Sequence, residues 1–488
     1  MPNAKNAFPS PTKRTSAEEY DIVIIGSGSG GKLIAWTFAS KGQRVAMIER
    51  KYIGGSCPNI ACLPSKNIIH TAQVASYVRR SEEFGIAGGS FKLDMSAVRE
   101  RKRKMVSSLI DTHLAAYKDS GAELITGSGR FIGPRTVEVT LNDGTTRQLR
   151  GTNVVIDTGT HAAIDSIPGL TEARPLTHIE ALELDEVPEH LVVIGGGYVG
   201  VELAQAIRRF GSKVSIIDRN GRLLHLEDDD ITEAIGGLFQ DEGIELILNA
   251  RIKRVSGRSG QWVKVIAEQN GVENTIEGTH ILVATGRIPN TKDLGLEVAG
   301  VQVTDRGYVR VNERLETTAP GIWAVGEVAG SPQFTHISED DFHVFHDNVT
   351  GGNHVTTGRL VPFCVFTDPE FARVGLSERE ARTKGIPYRL FKVPMATVLR
   401  ARSLVETRGF MKALVATDSD RIIGFMNFGV GAGEVMSAVQ IAMMGELPYI
   451  ALRDAILAHP TLVEGLHMLF ASVPSVPSES IAEEMAVV

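Results

Sequence analysis

Cys57 and Cys62, separated by four residues, are two of only three cysteines in a chain of 488 residues. So sparse a supply excludes a disulfide-stapled secreted scaffold and, in a reducing compartment, marks a close pair as catalytic or metal-binding. The pair lies in Gly54-Gly55-Ser56-Cys57-Pro58-Asn59-Ile60-Ala61-Cys62-Leu63-Pro64-Ser65-Lys66. Ile68, Ala72, Ala75 and Val78 then recur at helical spacing, and Pro64 suits a first helical turn, so the pattern predicts a helix that begins at Cys62. A thiol at a helix N-terminus is biased toward the thiolate, the form that attacks or exchanges disulfides. Four intervening residues let one turn bring the two sulfurs together. A pair of buried, inert thiols and a zinc site are the competing readings. Zinc lacks ligands, because Cys364 is remote in sequence and no histidines cluster beside the pair.

The elements that must hold this segment are announced by two glycine turns. Asp-Ile-Val-Ile-Ile from Asp21 predicts a buried strand, followed by Gly26-Ser27-Gly28-Ser29-Gly30-Gly31 and a helix over residues 32–40. Gly26 permits the tight turn, Gly28 admits a pyrophosphate to the backbone, and Gly31 lets helix and strand pack, while the helix N-terminus supplies N–H groups. The next strand, 44–48, ends at Glu49, placed to accept from ribose hydroxyls. The pattern recurs at strand 191–194, Gly195-Gly196-Gly197-Tyr198-Val199-Gly200, a helix over 201–210, and a strand 214–217 ending at Asp218. Gly195, Gly197 and Gly200 are the second fingerprint. One chain therefore holds two dinucleotide sites, the equipment of a flavin enzyme that also binds a nicotinamide.

Composition agrees. A hydrophobic fraction of 43%, a charged fraction of 22% and 50 glycines fit an α/β chain of about three domains. The net charge of −7 is spread over both signs, which excludes the basic stripe of a nucleic-acid binder. Residues 1–19 lack the apolar core of a signal peptide and read as a flexible lead-in, and no apolar run reaches membrane-spanning length. A cytoplasmic enzyme acting on small molecules, with no membrane or nucleic-acid partner, is expected. The acidic run 227–230 reads as a solvated loop rather than a cation site.

Together with the cysteine segment, Ala284-Thr285-Gly286-Arg287-Ile288-Pro289-Asn290, Gly321-Ile322-Trp323-Ala324-Val325-Gly326, Phe366-Thr367-Asp368-Pro369 and Ala458-His459-Pro460-Thr461-Leu462-Val463-Glu464 resemble the class I pyridine nucleotide-disulfide oxidoreductases, the family of glutathione reductase, dihydrolipoamide dehydrogenase and mercuric reductase. The resemblance covers about residues 20–475. It implies an α/β chain of two Rossmann-like domains and a C-terminal α+β dimerisation domain: FAD-binding at 20–160 and 289–360, NAD(P)-binding at 161–288, dimerisation at 361–478, and a tail at 479–488. It implies FAD and NADPH or NADH as cofactors, with Gly159, Gly286 and Gly326 in their binding loops. Cys57 would be the thiol that meets substrate and Cys62 the thiol nearer the flavin. Lys66 would pair with Glu202 beside the flavin, and His459, oriented by Glu464, would carry protons from the other subunit of a homodimer. Tyr198 matches the residue that covers the flavin in glutathione reductases, or is a core tyrosine.

The chain also departs from the pattern. Glu327 stands where the family carries an aspartate for the flavin ribityl chain, and Asp157 stands where a small apolar residue is usual. Asp218 favours NAD through ribose hydroxyls, whereas Arg219 and Arg222 could hold the phosphate of NADP, which tips the balance slightly to NADPH. Trp36 occupies the place of the arginine that glutathione reductases offer to their peptide substrate. Lys32 and the stretch from Gln333 to Phe342 are similar to the mercuric-reductase-like branch that includes reactive-chlorine and hypothiocyanous acid reductases. The expected reaction is reduction of a small disulfide or reactive oxidant, with metal-ion reduction, dihydrolipoamide oxidation and transhydrogenation as alternatives.

Overall fold

A computed structural model describes residues 16–88 and 91–475. Most of the expected lead-in and the tail 479–488 lie outside the described residues. The chain separates into two compact units, one holding residues up to Asn59, Leu109–Thr160 and Pro289–Thr357, the other Ile60–Ser108, His161–Ile288 and everything from Gly358.

In the first unit, strands Val45–Glu49, Glu18–Ile25, Thr146–Ile156 and Ile322–Ala324 lie side by side in parallel. Their stretches 45–48, 22–25, 154–156 and 322–324 read as continuous apolar runs because both faces are covered there. Ile22 and Ile24 face Ile34 and Phe38 of helix Ser29–Ser40, while Val23 and Ile25 face Phe131, Val137 and Val139 of an antiparallel layer. The first strand starts at Glu18, inside the stretch expected to be flexible. Its polar head escapes a hydrophobic-pattern reading, yet Glu18 and Glu19 pair in register with Leu149 and Arg150, and Arg147 clamps the Glu18 carboxylate at 2.7 and 2.9 Å.

The second unit repeats the parallel theme with His280–Val283, His190–Ile194, Lys213–Ile217 and Glu245–Ile247, backed by a three-stranded meander. It continues into a five-stranded antiparallel sheet covered by helices Ala432–Met444 and Gly465–Ala471. Both fingerprint helices begin three residues earlier than the apolar pattern predicts, at Ser29 and Tyr198. Backbone bonds from Lys32 to Gly28 and from Val201 to Gly197, each 3.0 Å, close the first turn within the glycine segment, where side-chain periodicity carries no signal.

The acidic run is not the solvated loop expected. Glu227 and Asp228 are buried, and Lys412, with no exposed surface, sits among Asp228, Asp230 and Glu378 at 2.8, 2.7 and 3.0 Å. These three carboxylates are close enough to hold a metal ion, but the ammonium takes the cation's place. Burial pushes the Asp228 carboxyl up, and Lys412 with the amides of Arg379 and Glu378 outweighs it, holding the group below the usual carboxylate range.

Lys412→Met is expected to destabilise the protein by about 3–5 kcal/mol at neutral pH, read from urea unfolding, since it strands buried carboxylates without their cation. Because Asp228 titrates below its ordinary value in the native state, this stabilisation is full above the ordinary carboxylate range and fades as pH falls through the lowered value. The gap between wild type and variant should therefore be widest at neutral pH and close in acid; equal stabilities at pH 7 would refute the assignment.

Candidate functional site

The first glycine turn is built by exclusion. Gly26 has φ +99°, and a Cβ there would stand 2.2 Å from the Asp157 carbonyl, so strand and turn meet only through bare backbone. Glu49, at its strand end, receives the Ser27 amide and hydroxyl at 2.9 and 2.8 Å and the Lys51 and Tyr52 amides at 2.7 and 3.0 Å. Its carboxylate is thus fixed beside the turn. The helix N-terminus offers its first amides to other side chains: Gly30 donates to Ser338 at 3.0 Å and Gly31 to Asp157 at 2.7 Å. A Cβ on Gly28 would meet the Asp157 carboxyl. Gly159 looks onto open space, Gly326 donates its amide to the buried Asp341 at 2.7 Å, and Thr160 donates to the Glu327 carboxylate.

The second turn has the same plan with different contents. Gly195 has φ +105° with the Ala284 carbonyl 2.5 Å from its would-be Cβ, and Gly200 packs on the Gly195 carbonyl, but a Cβ on Gly197 or Gly286 would meet nothing within 4 Å. Asp218 accepts the Gly196 amide at 2.5 Å and the Asn220 amide and side chain at 2.7 and 2.8 Å. Arg219 is exposed, and Arg222 is drawn to Asp229. Tyr198 opens the helix and donates its hydroxyl to buried Glu227 at 2.9 Å, and burial pushes both groups up from their usual values. Both turns fit a phosphate-bearing dinucleotide: each joins a glycine backbone to a helix N-terminus, with an acid at the end of the neighbouring strand.

Cys57 lies on the single-turn helix Ser56–Asn59, and Cys62 is the first residue of helix Cys62–Arg79; both are half-buried. Ala61 caps that helix without a side-chain bond, and Ser65 makes its first backbone bond, to Ala61 at 3.0 Å. One turn on, Lys66 Nζ is 2.7 Å from Glu202 and 4.7 Å from the centre of the Phe366 ring, while the second Glu202 oxygen takes the Phe366 amide at 2.8 Å. His459 is 63% exposed, and its Nδ1 lies 3.1 and 3.2 Å from the two Glu464 oxygens. The Thr461 amide, bonded to Glu464 at 3.0 Å, and His459 hold that carboxyl below the usual range. An ionised carboxylate only accepts, so Nδ1 carries the proton and Nε2 is the basic nitrogen.

Three partners escaped the sequence reading: Glu227 for Tyr198, the Phe366 amide for Glu202, and His113 for Lys32. They lie 29, 164 and 81 positions from the residues they hold, and no local spacing marks them. His113 stacks on Trp36, and its Nε2 is 3.4 Å from Lys32 Nζ. Burial pushes the Lys32 ammonium down, against the pull of Cys57, Glu339 and Asp157.

Two glycine cradles and a cysteine pair at a helix head define a disulfide reductase of the two-dinucleotide type. The family model described as pyridine nucleotide-disulphide oxidoreductase matches residues 20–341, and the model of its dimerisation domain matches 361–470. The chain belongs to this family, as a class I flavoprotein disulfide reductase that works with FAD and a pyridine nucleotide, and its dimerisation domain implies a homodimer. It is similar to the probable pyridine nucleotide-disulfide oxidoreductase RclA of Escherichia coli (strain K12), at 36% identity over 461 residues, 93% of this chain and 99% of RclA. It is also similar to the mercuric reductase of Staphylococcus aureus, at 34% over 452 residues, 92% of this chain and 82% of that protein. Among solved structures, the Cu(II) complex of the HOCl-induced flavoprotein disulfide reductase RclA from Escherichia coli superposes with a TM-score of 0.85 at 35% identity, covering 93% of this chain and 99% of that one.

Glu202→Gln keeps an acceptor for the Phe366 amide and loses only the charge opposite Lys66, whereas Glu202→Ala loses both. Urea unfolding should place the alanine variant about 1–3 kcal/mol below the glutamine variant, the penalty of a buried amide left without its acceptor; equal stabilities would show that the Phe366 bond contributes nothing.

Proposed function

We propose that this enzyme uses NADPH to reduce a small disulfide or reactive oxidant at a Cys57–Cys62 redox pair in the cytoplasm, with His459 of the partner subunit managing protons. The observation that carries the reading is the placement of Cys62 as the first residue of a helix without a side-chain cap, five residues after Cys57. The domain limits proposed are 20–160 with 289–360 for FAD, 161–288 for the coenzyme and 361–478 for dimerisation. Gly26, Gly28, Gly31, Glu49, Gly159, Gly326 and Glu327 would hold FAD, which when bound relays two electrons from the nicotinamide to the disulfide. Gly195, Gly197, Gly200, Asp218, Arg219, Arg222 and Gly286 would hold the coenzyme, with Tyr198 poised between the two.

Reduction of the pair yields two thiols. The Cys57 thiolate then attacks one sulfur of the substrate disulfide, forming a mixed disulfide and expelling one thiolate. His459, protonated on Nε2, supplies the proton to that leaving group, and Glu464 stabilises the imidazolium and keeps Nδ1 as the donor. Cys62 attacks the Cys57 sulfur, the second thiol leaves, and the intramolecular disulfide returns. In sum, NADPH, a proton and one disulfide become NADP⁺ and two thiols. An oxidant that converts Cys57 to a sulfenic acid ends at the same disulfide with loss of water. Lys66 would hold a positive charge beside the flavin, and Glu202, 2.7 Å away, would fix its position. Metal-ion reduction is the second reading, favoured by the similarity to mercuric reductase and to a Cu(II)-complexed relative.

Nicotinamide oxidation should be screened against disulfides, hypohalous oxidants, Hg(II) and Cu(II), with wild type and Cys57→Ser side by side. At least a hundredfold loss of turnover is expected in the variant, on the order of what removal of a covalent nucleophile costs. Activity independent of Cys57 would sink both readings, and the preferred oxidised substrate decides between them. Mixed dimers of Cys57→Ser and His459→Ala should regain part of the activity if the site is shared across subunits; no rescue in demonstrably mixed dimers would count against it.

Coenzyme choice rests on Arg219, exposed next to the inward-tied Asp218. Arg219→Ala is expected to raise the KM for NADPH by about tenfold, the worth of one charge-assisted phosphate contact, and to leave the KM for NADH unchanged. Equal effects on both coenzymes would remove Arg219 from phosphate recognition.

A further inference from the structure

The two glycine turns are internal controls for each other. In each, the residue after the strand that pairs with the fingerprint strand lies over the first fingerprint glycine: the Asp157 amide bonds to the Ile25 carbonyl at 2.8 Å, and the Ala284 amide to the Ile194 carbonyl at 2.8 Å. The Asp157 carbonyl blocks a Cβ on Gly26 as the Ala284 carbonyl blocks one on Gly195. Asp157 is thus the counterpart of Ala284, with a carboxyl group where the second turn has a methyl.

That carboxyl stands at the N-terminus of helix Ser29–Ser40. Its Oδ2 accepts the Gly31 amide at 2.7 Å, and its oxygens lie against Gly28 and Gly326, 2.6 to 3.2 Å from where Cβ atoms would stand. Among the described residues, the Gly31 amide is its one hydrogen-bond donor. The charged and titratable groups facing it are Asp341 of helix Thr335–Val349, Glu49 at the neighbouring strand end, Lys32 of the fingerprint helix, and Tyr117 in the last turn of the helix that ends at Ser120. Glu327, next to Gly326, turns to Thr160. Asp157 therefore has two carboxylates near it and a single cation, whose own ammonium is pushed down by burial.

A helix N-terminus stabilises one anion well. Here it must serve the FAD pyrophosphate, and a fixed carboxylate on the same amides would oppose that ligand. We propose that Asp157 enters the flavin-binding turn as the neutral acid, its proton part of the binding site, and that loss of this proton weakens FAD binding. As the acid, it accepts from Gly31 through Oδ2 and carries its proton on Oδ1. Burial, which pushes the carboxyl well above the usual range, acts in the same direction, and the Gly31 amide opposes it. The inference rests on the reading of residues 26–31 as the flavin turn.

The sign follows from linkage. Bound pyrophosphate raises the Asp157 pKa above its value in the FAD-free protein, so affinity is full below the FAD-free value and falls tenfold per pH unit between the two values. Apo-protein should be titrated with FAD, following flavin fluorescence, from about pH 6 to about pH 10. The wild-type Kd is expected to rise at least about tenfold across this range, and that of Asp157→Asn by less than about twofold. Asp157→Thr, another neutral acceptor for the Gly31 amide, serves if the asparagine variant does not fold. The infrared spectrum of the FAD-loaded protein at neutral pH should show a protonated-carboxyl stretch that is missing from the variant. Parallel pH profiles in wild type and variant, or no such stretch, would overturn the proposal. Failure of the wild type to bind FAD at any pH would refute the assignment of the flavin turn instead.

Discussion

The chain depends on two places where backbone must touch backbone. At Gly26 a side chain would stand 2.2 Å from the Asp157 carbonyl, and at Gly195 it would stand 2.5 Å from that of Ala284. No rotamer relieves a clash with main-chain atoms, so these contacts admit only glycine, and their positive φ values narrow the choice further. From each contact follow the angle of the helix, the direction of its first amides and the position of the acid on the next strand. Glu49 and Asp218 are both tied by amides of their own turn, at 2.9 and 2.5 Å, which places them before any ligand arrives.

A second constraint governs the charges. The second unit buries Lys412 among three carboxylates, pairs Lys66 with Glu202, and sets Arg209 against Glu242 and Asp368. Each buried ion in these sets has an opposite charge or amide donors within hydrogen-bond reach, as the desolvation penalty requires. The pairs differ in what they leave open. Lys412 is saturated and enclosed, so its acids have no capacity for a metal; Lys66 keeps about a third of its surface, so its charge can act on a neighbour.

The features legible in the sequence are those written by spacing. Both fingerprints and the helix at Cys62 arise from residues within a few positions of one another, where helical period and turn geometry leave a trace, while the His459–Glu464 pairing was legible only through the resemblance of its segment to the family. The helix starts at Ser29 and Tyr198 were missed because glycine carries no periodic signal, and the strand head at Glu18 because its partners, Leu149 and Arg147, lie far along the chain. The acidic run at 227–230 was misread for the same reason. Its composition resembles a solvated loop, and only the fold brings Lys412 to it across more than 180 positions. Asp157 shows the limit most clearly: its residue type was visibly unusual, but its meaning lies in the Gly31 amide 126 positions away.

The proposed cysteine chemistry has a direction because the two thiols are not equivalent. Cys62 heads an 18-residue helix whose first turn lacks a side-chain cap, whereas Cys57 sits on a four-residue helix. A helix N-terminus stabilises a thiolate, and in disulfide exchange the sulfur that better carries negative charge is the better leaving group. In the proposed reaction a thiol attacking the pair at Cys57 would expel Cys62, and in the forward direction Cys57 would be the sulfur that meets substrate.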